Sequence, residues 1–148
     1  GVSNIVVTNA AKVERYYFDT QWLSKPFYDQ QMIEGLEQSG DTLLPGVRIV
    51  KKLRPFVEEE LDGMFPGSVR IFADTDGDIP LHSCAVPRGG RILLAIGPEG
   101  GWTRFEREMF HGKGFVCASM GPRILRADVA CIAAVSIAHA LLDGHGRA

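Results

Sequence analysis

Ile92-Leu93-Leu94-Ala95-Ile96-Gly97-Pro98-Glu99-Gly100-Gly101 is an apolar run that ends in a glycine-rich loop. The pattern returns downstream, where Phe115 to Met120 leads into Gly121-Pro122-Arg123-Ile124-Leu125-Arg126-Ala127-Asp128-Val129-Ala130. Five apolar residues after Arg91 predict a strand buried on both faces, as in a parallel sheet with helices on either side. Gly97, Gly100 and Gly101 let the backbone turn sharply and let a ligand approach with no Cβ in the way. Ligands of open α/β sheets bind at the carboxyl ends of strands. Both loops lie at such ends, so one ligand can be held between them.

The glycine spacing excludes two familiar sites. It is not Gly-x-Gly-x-x-Gly, the dinucleotide fingerprint, and no Gly-Lys-Ser/Thr of a P-loop follows it. A simple phosphate site at a helix N-terminus stays open. A cofactor held largely through backbone groups fits better. Ile96, Met120, Ile124 and Leu125 can wall an adenine, and Gly97, Gly101, Gly121 and their neighbours can offer N–H and C=O partners.

With 148 residues, 45% of them hydrophobic and 23% charged, the chain reads as one soluble globular domain. A net charge of −2 leaves no global basic field for nucleic acid, so any RNA contact must come from a local patch or from a part outside this chain. Cys84, Cys117 and Cys131 are far apart and odd in number, which argues against a zinc or redox site and for small buried residues. No apolar run is long enough to span a bilayer, and no signal peptide is visible. A start at Gly1 rather than Met hints at a processed product or a fragment.

Outward from the loops, strands are expected at Asn4 to Thr8, Val47 to Val50 and Val69 to Ala73, and a last one at Phe115 to Ser119. Pro26 suits the first turn of a helix whose Tyr28, Met32 and Leu36 share one face and which Gly40 closes. That puts Glu37 and Gln38 on its last turn, where a solvated helix end is the plainer reading. A further helix occupies Leu53 to Phe65, with Glu58-Glu59-Glu60 as a solvated face. Asp74-Thr75-Asp76-Gly77-Asp78 lacks the full calcium-loop pattern, so no metal is expected there. Leu81 to Gly90 reads as an irregular linker. Thr103 and Glu106 form a capping box that starts a helix with Phe105 and Met109 on its inner face. Ala127 to Leu142 is helical, with Asp128, Ser136 and His139 in one narrow polar arc. So apolar a terminal helix calls for cover on two sides, by its own sheet and by a second subunit. A charge at Ala134 would test that seam. Lys12 and Arg15, among the aromatics of Val13 to Phe18, are candidate phosphate contacts or simply a solvated face.

Ile96-Gly97-Pro98-Glu99-Gly100-Gly101 with Met120-Gly121-Pro122-Arg123-Ile124-Leu125-Arg126 closely resembles the signature of the RsmE family. Gly1-Val2-Ser3-Asn4-Ile5, Glu37-Gln38-Ser39-Gly40 and Pro45 extend the resemblance over nearly the whole chain. It implies an S-adenosylmethionine-dependent methyltransferase for uridine N3 of small-subunit (16S) ribosomal RNA. The implied fold is α/β of the SPOUT class, an open parallel sheet with helices on both faces and a C-terminal trefoil knot. A cytoplasmic homodimer follows, or an organellar one if the source is a eukaryote, with no metal and no membrane. The resemblance further implies a PUA-like RNA-binding domain ahead of the catalytic one. Residues 1–148 would then be the catalytic domain alone.

On the same ground the S-adenosylmethionine pocket comprises Ala73, Ile96, Gly97, Gly100, Gly101, Met120, Gly121, Ile124, Leu125 and Arg126. The family commonly places an arginine after the glycine of its Gln-Ser-Gly motif, and Asp41 stands there instead. Methyl transfer is largely positioning. Uridine N3 must also lose a proton, so its carbonyls need a cation and its proton an acceptor. Arg126 or Arg123 suits the first task, and Glu99 or Asp128 the second. The plainer reading pairs Arg126 with Asp128 at a helix end. N3 lies on the Watson–Crick edge, so the base must be unpaired or flipped out. RNA contacts fall to Glu37, Gln38, Lys12 and Arg15, with Lys51, Lys52 and Arg54 as a weaker patch. Two rivals stand beside this reading: a SPOUT methyltransferase for another RNA site, and a catalytically idle RNA-binding or ribosome-assembly module.

Overall fold

Val69–Ala73 (β3) is the strand around which the larger part of the chain is built. Side chains alternate across a strand, and Ile71 and Phe72, both fully buried, face opposite sides. Ile71 joins a cluster with Leu81, Cys84, Ala118 and Ala134, the last on a helix of residues Ala127–Asp143. Phe72 stacks at 5.5 Å on Phe110, from a second helix, Arg104–Gly112, and Phe110 also meets Trp102 and Phe115. One strand thus serves two cores, and the sheet carries a helix on each face.

The computed structural model describes residues 1–13, 18 and 20–144. The chain divides into two compact units, one of Gly1–Asn9 with Val13–Leu53 and one of Ala10–Lys12 with the remainder. In the first, β1 (Asn4–Thr8) and β2 (Gly46–Val50) pair in parallel, Asn4 opposite Gly46 and Thr8 opposite Val50. Between them α1 (Lys25–Ser39) starts with proline in its first turn and ends at Gly40, whose φ of 70° closes it. Asp41 closes the following turn by accepting the N–H groups of Thr42 and Leu43, and these bonds hold its carboxyl below the usual range.

After α2 (Leu53–Pro55), whose first residue closes the first unit, the second runs through a π turn (Phe56–Glu60) and α3 (Leu61–Met64), then β3, β4 (Ile79–Pro80), β5 (Ile92–Ile96), α4 (Arg104–Gly112), β6 (Val116–Ser119) and α5 (Ala127–Asp143). The strand order is β4-β6-β3-β5, and every pairing is parallel. Phe56, Val57 and Leu61 point inward from the helical run, while Glu58 and Glu59 are exposed as expected. Asp62 ties the run to the sheet and to the end of α4 through Arg70 and Lys113, each at 2.7 Å.

The expected elements form, with four differences. The strands make two parallel sheets rather than one. The run Ile92–Ile96 is an edge, not a doubly buried centre: it pairs on one side only and all five residues are half-buried, whereas β3 between two partners is the buried strand. β4 and a 3-10 turn, Leu81–Ser83, occupy what reads as linker, and Leu81 is buried at 1% exposure. Phe105 lies on the outer face of α4 under the Arg54 guanidinium, and the inward positions are Glu106 and Phe110. Arg15, Tyr16 and Tyr17 lie outside the described residues. Among the described residues no helix is long and apolar enough to cross a membrane.

Candidate functional site

β3, β5 and β6 run side by side and end at a common edge, where a cleft of about 260 Å³ opens. Ala73 and Ile96, cross-strand partners, form its floor. Gly97 to Gly101 make one wall, and Met120, Arg123, Ile124 and Leu125 make the other. The structure therefore brings together Ala73, Ile96, Gly97, Gly100, Gly101, Met120, Ile124 and Leu125, with Glu99 and Arg123 beside them. Gly121 and Arg126 belong to the same loop but do not line the cleft.

The loop glycines have different causes. A Cβ on Gly97 would sit 2.9 Å from the Trp102 ring, so that residue leaves room for the indole. Trp102, only 4% exposed, donates its Nε1–H to the Ala73 carbonyl at 3.0 Å and fastens the end of β3 to the glycine loop. A Cβ on Gly100 would meet the Lys12 stem at 3.0 Å. Of the three, Gly101 alone has open space around its missing Cβ, and its φ of 66° is what calls for glycine. Close ligand approach thus explains neither Gly97 nor Gly100.

Glu99 bridges the two loops. Its Oε1 accepts the Ala127 N–H at 3.2 Å, the first residue of α5. Its own N–H and that of Ala127 hold the carboxyl below its ordinary value, and the residue is exposed. A carboxylate stabilised in this way is a weak proton acceptor. Arg126 pairs with Asp128 at 3.1 Å on the surface, the plainer of the two sequence readings. Arg123 lines the cleft and is exposed.

Several residues of the site carry no motif. Asp74, Thr75, Asp76 and Arg107 form its rim, Arg107 reaching Asp76 at 3.1 Å and Asp74 at 3.5 Å. The aspartates read from sequence as a loop without a metal here hold a guanidinium. Lys12, a candidate phosphate contact, lines the cleft and donates to the Gly100 carbonyl. Glu37 and Gln38 are exposed on the last turn of α1, in the other unit, and are not among the cleft residues. Knowledge that β3 pairs with β5 and β6 would have placed Trp102 and Arg107 at the cleft, but no periodicity in the sequence reports that pairing.

A family model described as an RNA methyltransferase domain matches residues 1–139. The chain belongs to this family. The ribosomal RNA small subunit methyltransferase E of Treponema pallidum (strain Nichols) is 31% identical over 138 residues, covering 93% of this chain and 52% of the relative. A crystal structure of ribosomal RNA small subunit methyltransferase E from Neisseria gonorrhoeae bound to S-adenosyl methionine superposes with a TM-score of 0.72 at 26% identity, over 95% of this chain and 54% of that one. A probable rRNA-methyltransferase from Porphyromonas gingivalis shares the fold, with a TM-score of 0.80 at 22% identity over 98% and 58%. The resemblance to RsmE is borne out. This chain spans about half the length of the Treponema relative.

Proposed function

We propose that this chain is the catalytic part of an S-adenosylmethionine-dependent methyltransferase that modifies uridine N3 of small-subunit ribosomal RNA. The observation that carries the reading is the cleft, set at the carboxyl ends of three parallel strands in a member of an RNA methyltransferase family. Its walls suit the donor. Ile96, Met120, Ile124 and Leu125 offer an apolar slot for an adenine, and the open space beside Gly101 leaves its backbone reachable. Bound there, S-adenosylmethionine supplies an electrophilic methyl on a sulfonium.

The chain's own residues must do the rest. They hold the uracil so that N3 points along the C–S bond, and they remove the N3 proton. The new N–CH₃ bond replaces the S–CH₃ bond, the sulfur keeps that bond's electron pair, and the N3 proton leaves to a base. Arg123, in the cleft wall, is the better placed guanidinium to hold negative charge on a uracil carbonyl. Arg126 would first have to leave Asp128. Glu99 serves to join the loops rather than to take the proton, since backbone N–H donors already stabilise its charge.

The same reading includes a homodimer built on α5, a knotted C-terminal segment of the SPOUT kind and a cytoplasmic setting. Ile124, Val129 and Ile132, at 75%, 46% and 70% exposure, supply the apolar surface that a second subunit would cover. A Cβ on Gly77 would lie 2.6 Å from the Ala118 carbonyl carbon, so the segment that leads into β4 lies against β6 at backbone contact. The test is transfer of labelled methyl to small-subunit RNA lacking this modification, with the product nucleoside identified. Formation of 3-methyluridine supports the proposal. Donor binding without transfer, by a protein that includes whatever RNA-binding part its relatives carry, would favour the idle module.

A further inference from the structure

Resting on that reading of the cleft, we infer that Lys12 is the residue that recognises the α-carboxylate of the methyl donor. Three observations converge on it. First, the segment Ala10–Lys12 is built into the site rather than draped over it. The Ala11 N–H donates to Oε1 of Glu106 at 2.8 Å, and Oε2 of the same carboxylate takes the Thr103 N–H at 2.8 Å and its hydroxyl at 2.7 Å. Glu106 is 4% exposed, so a buried carboxylate pins the backbone next to Lys12.

Second, the stem of Lys12 lies in the place that a side chain at residue 100 would take, 3.0 Å from that ideal Cβ position. A flexible side chain is thereby held in one course, which lowers the ordering cost of binding. Third, among the described residues its ammonium is the cation of the cleft that is anchored and pairs with no carboxylate. Its hydrogen bond goes to the neutral Gly100 carbonyl, whereas Arg107 is engaged by Asp74 and Asp76. An ammonium has three donors, so two stay available beside that carbonyl.

The ligand's chemistry matches this layout. The adenosyl end needs apolar walls, which Ile96, Met120, Ile124 and Leu125 supply, and the amino-acid end carries a carboxylate that needs a cation. An RNA phosphate could take the same ammonium, and truncating the ligand separates the two. Binding of S-adenosylhomocysteine and of 5′-methylthioadenosine, which lacks the amino-acid end, is measured by calorimetry for wild type, Lys12→Met and Lys12→Arg.

Methionine keeps an apolar stem over Gly100 and removes only the charge. Loss of a hydrogen bond to a charged group predicts roughly ten-fold weaker S-adenosylhomocysteine binding in Lys12→Met, with arginine restoring part of it. Methylthioadenosine affinity should stay within about two-fold, because its contacts are elsewhere. Equal losses for both ligands would make Lys12 a packing residue and overturn the inference. No loss for either would leave it a surface or RNA-facing lysine, with the same result. A wild-type chain that binds neither ligand removes the reading of the cleft itself, whereas wild-type binding that ignores Lys12→Met removes this inference alone.

Discussion

Replacing Glu106 by alanine should destabilise the second unit by about 2–4 kcal/mol. The figure follows from three donors that converge on one buried carboxylate: the Ala11 N–H, the Thr103 N–H and the Thr103 hydroxyl. Loss of the Glu half of the capping box costs about 1 kcal/mol. The Ala11 N–H is left part-buried without a partner, at about 1–3 kcal/mol. Thr103 keeps its own half of the cap, since its hydroxyl still accepts the N–H of residue 106. Against a total stability of about 5–15 kcal/mol, this is a large fraction. Urea unfolding followed by far-ultraviolet circular dichroism is the assay. At a slope of about 2 kcal/mol per molar, the midpoint should fall by roughly 1–2 M. Glu106→Gln should lose about half as much, because its carbonyl can serve one side while its NH₂ opposes the donors on the other. A change in Glu106→Ala below about 0.5 kcal/mol, the usual scatter of a surface substitution, would refute the argument that this carboxylate anchors the Ala10–Lys12 segment.

The other predictions address the loops and the helix seam. Gly101→Ala should cost about 1–2 kcal/mol from its φ of 66°, and Gly101→Val more, with donor binding lost through loop distortion; normal binding by the valine variant would remove the loop from the site. Trp102→Phe keeps the contact with Phe110 but drops the bond to Ala73, so about 1 kcal/mol of stability should go and donor affinity should fall. Glu99, with its pKa depressed in the folded chain, contributes stability that is fully present above its ordinary value of 4.5 and is lost as pH falls through the folded value. Thermal melts of Glu99→Gln against wild type should therefore converge in acid; a gap independent of pH would contradict the tie to Ala127. Ile132→Glu should give folded monomers if α5 carries a subunit interface, whereas Ala134→Glu should unfold the chain; light scattering with circular dichroism distinguishes these, and a dimer unchanged by Ile132→Glu would contradict the seam.

Ala134 shows where sequence pattern stops. An all-apolar helix says that two faces are covered, but not which residues turn to which cover. In the structure Ala130, Ala134 and Ala138 face the protein's own core, and Val129 and Ile132 look outward. The strand before the glycine loop shows the same limit, because an apolar run is compatible with a sheet centre or an edge until its partners are known. Capping at Thr103 and the αL close at Gly40 were legible because both are local, needing no knowledge of the rest of the chain. Most of the cleft residues were legible too, since they lie in two contiguous motifs. Trp102, Lys12 and the Asp74–Arg107 pairing were not, because each acquires its role from a partner 29 to 88 residues away or from a strand register.

All the strand pairings are parallel, and this has a kinetic side. β3 has its two partners, β5 and β6, entirely downstream of it in the chain. On a ribosome adding about 5–20 residues each second, the stretch from residue 74 to residue 119 takes roughly 2–9 s to appear. Until Ile92–Ile96 appears, Val69–Ala73 has both edges unpaired, and until Val116–Ser119 appears it still has one, the kind of segment that recruits strands from other molecules. Nascent chains stalled before Val116 should therefore be the aggregation-prone species, and folding yield should depend on how quickly synthesis reaches the last strand rather than on the stability of the finished sheet.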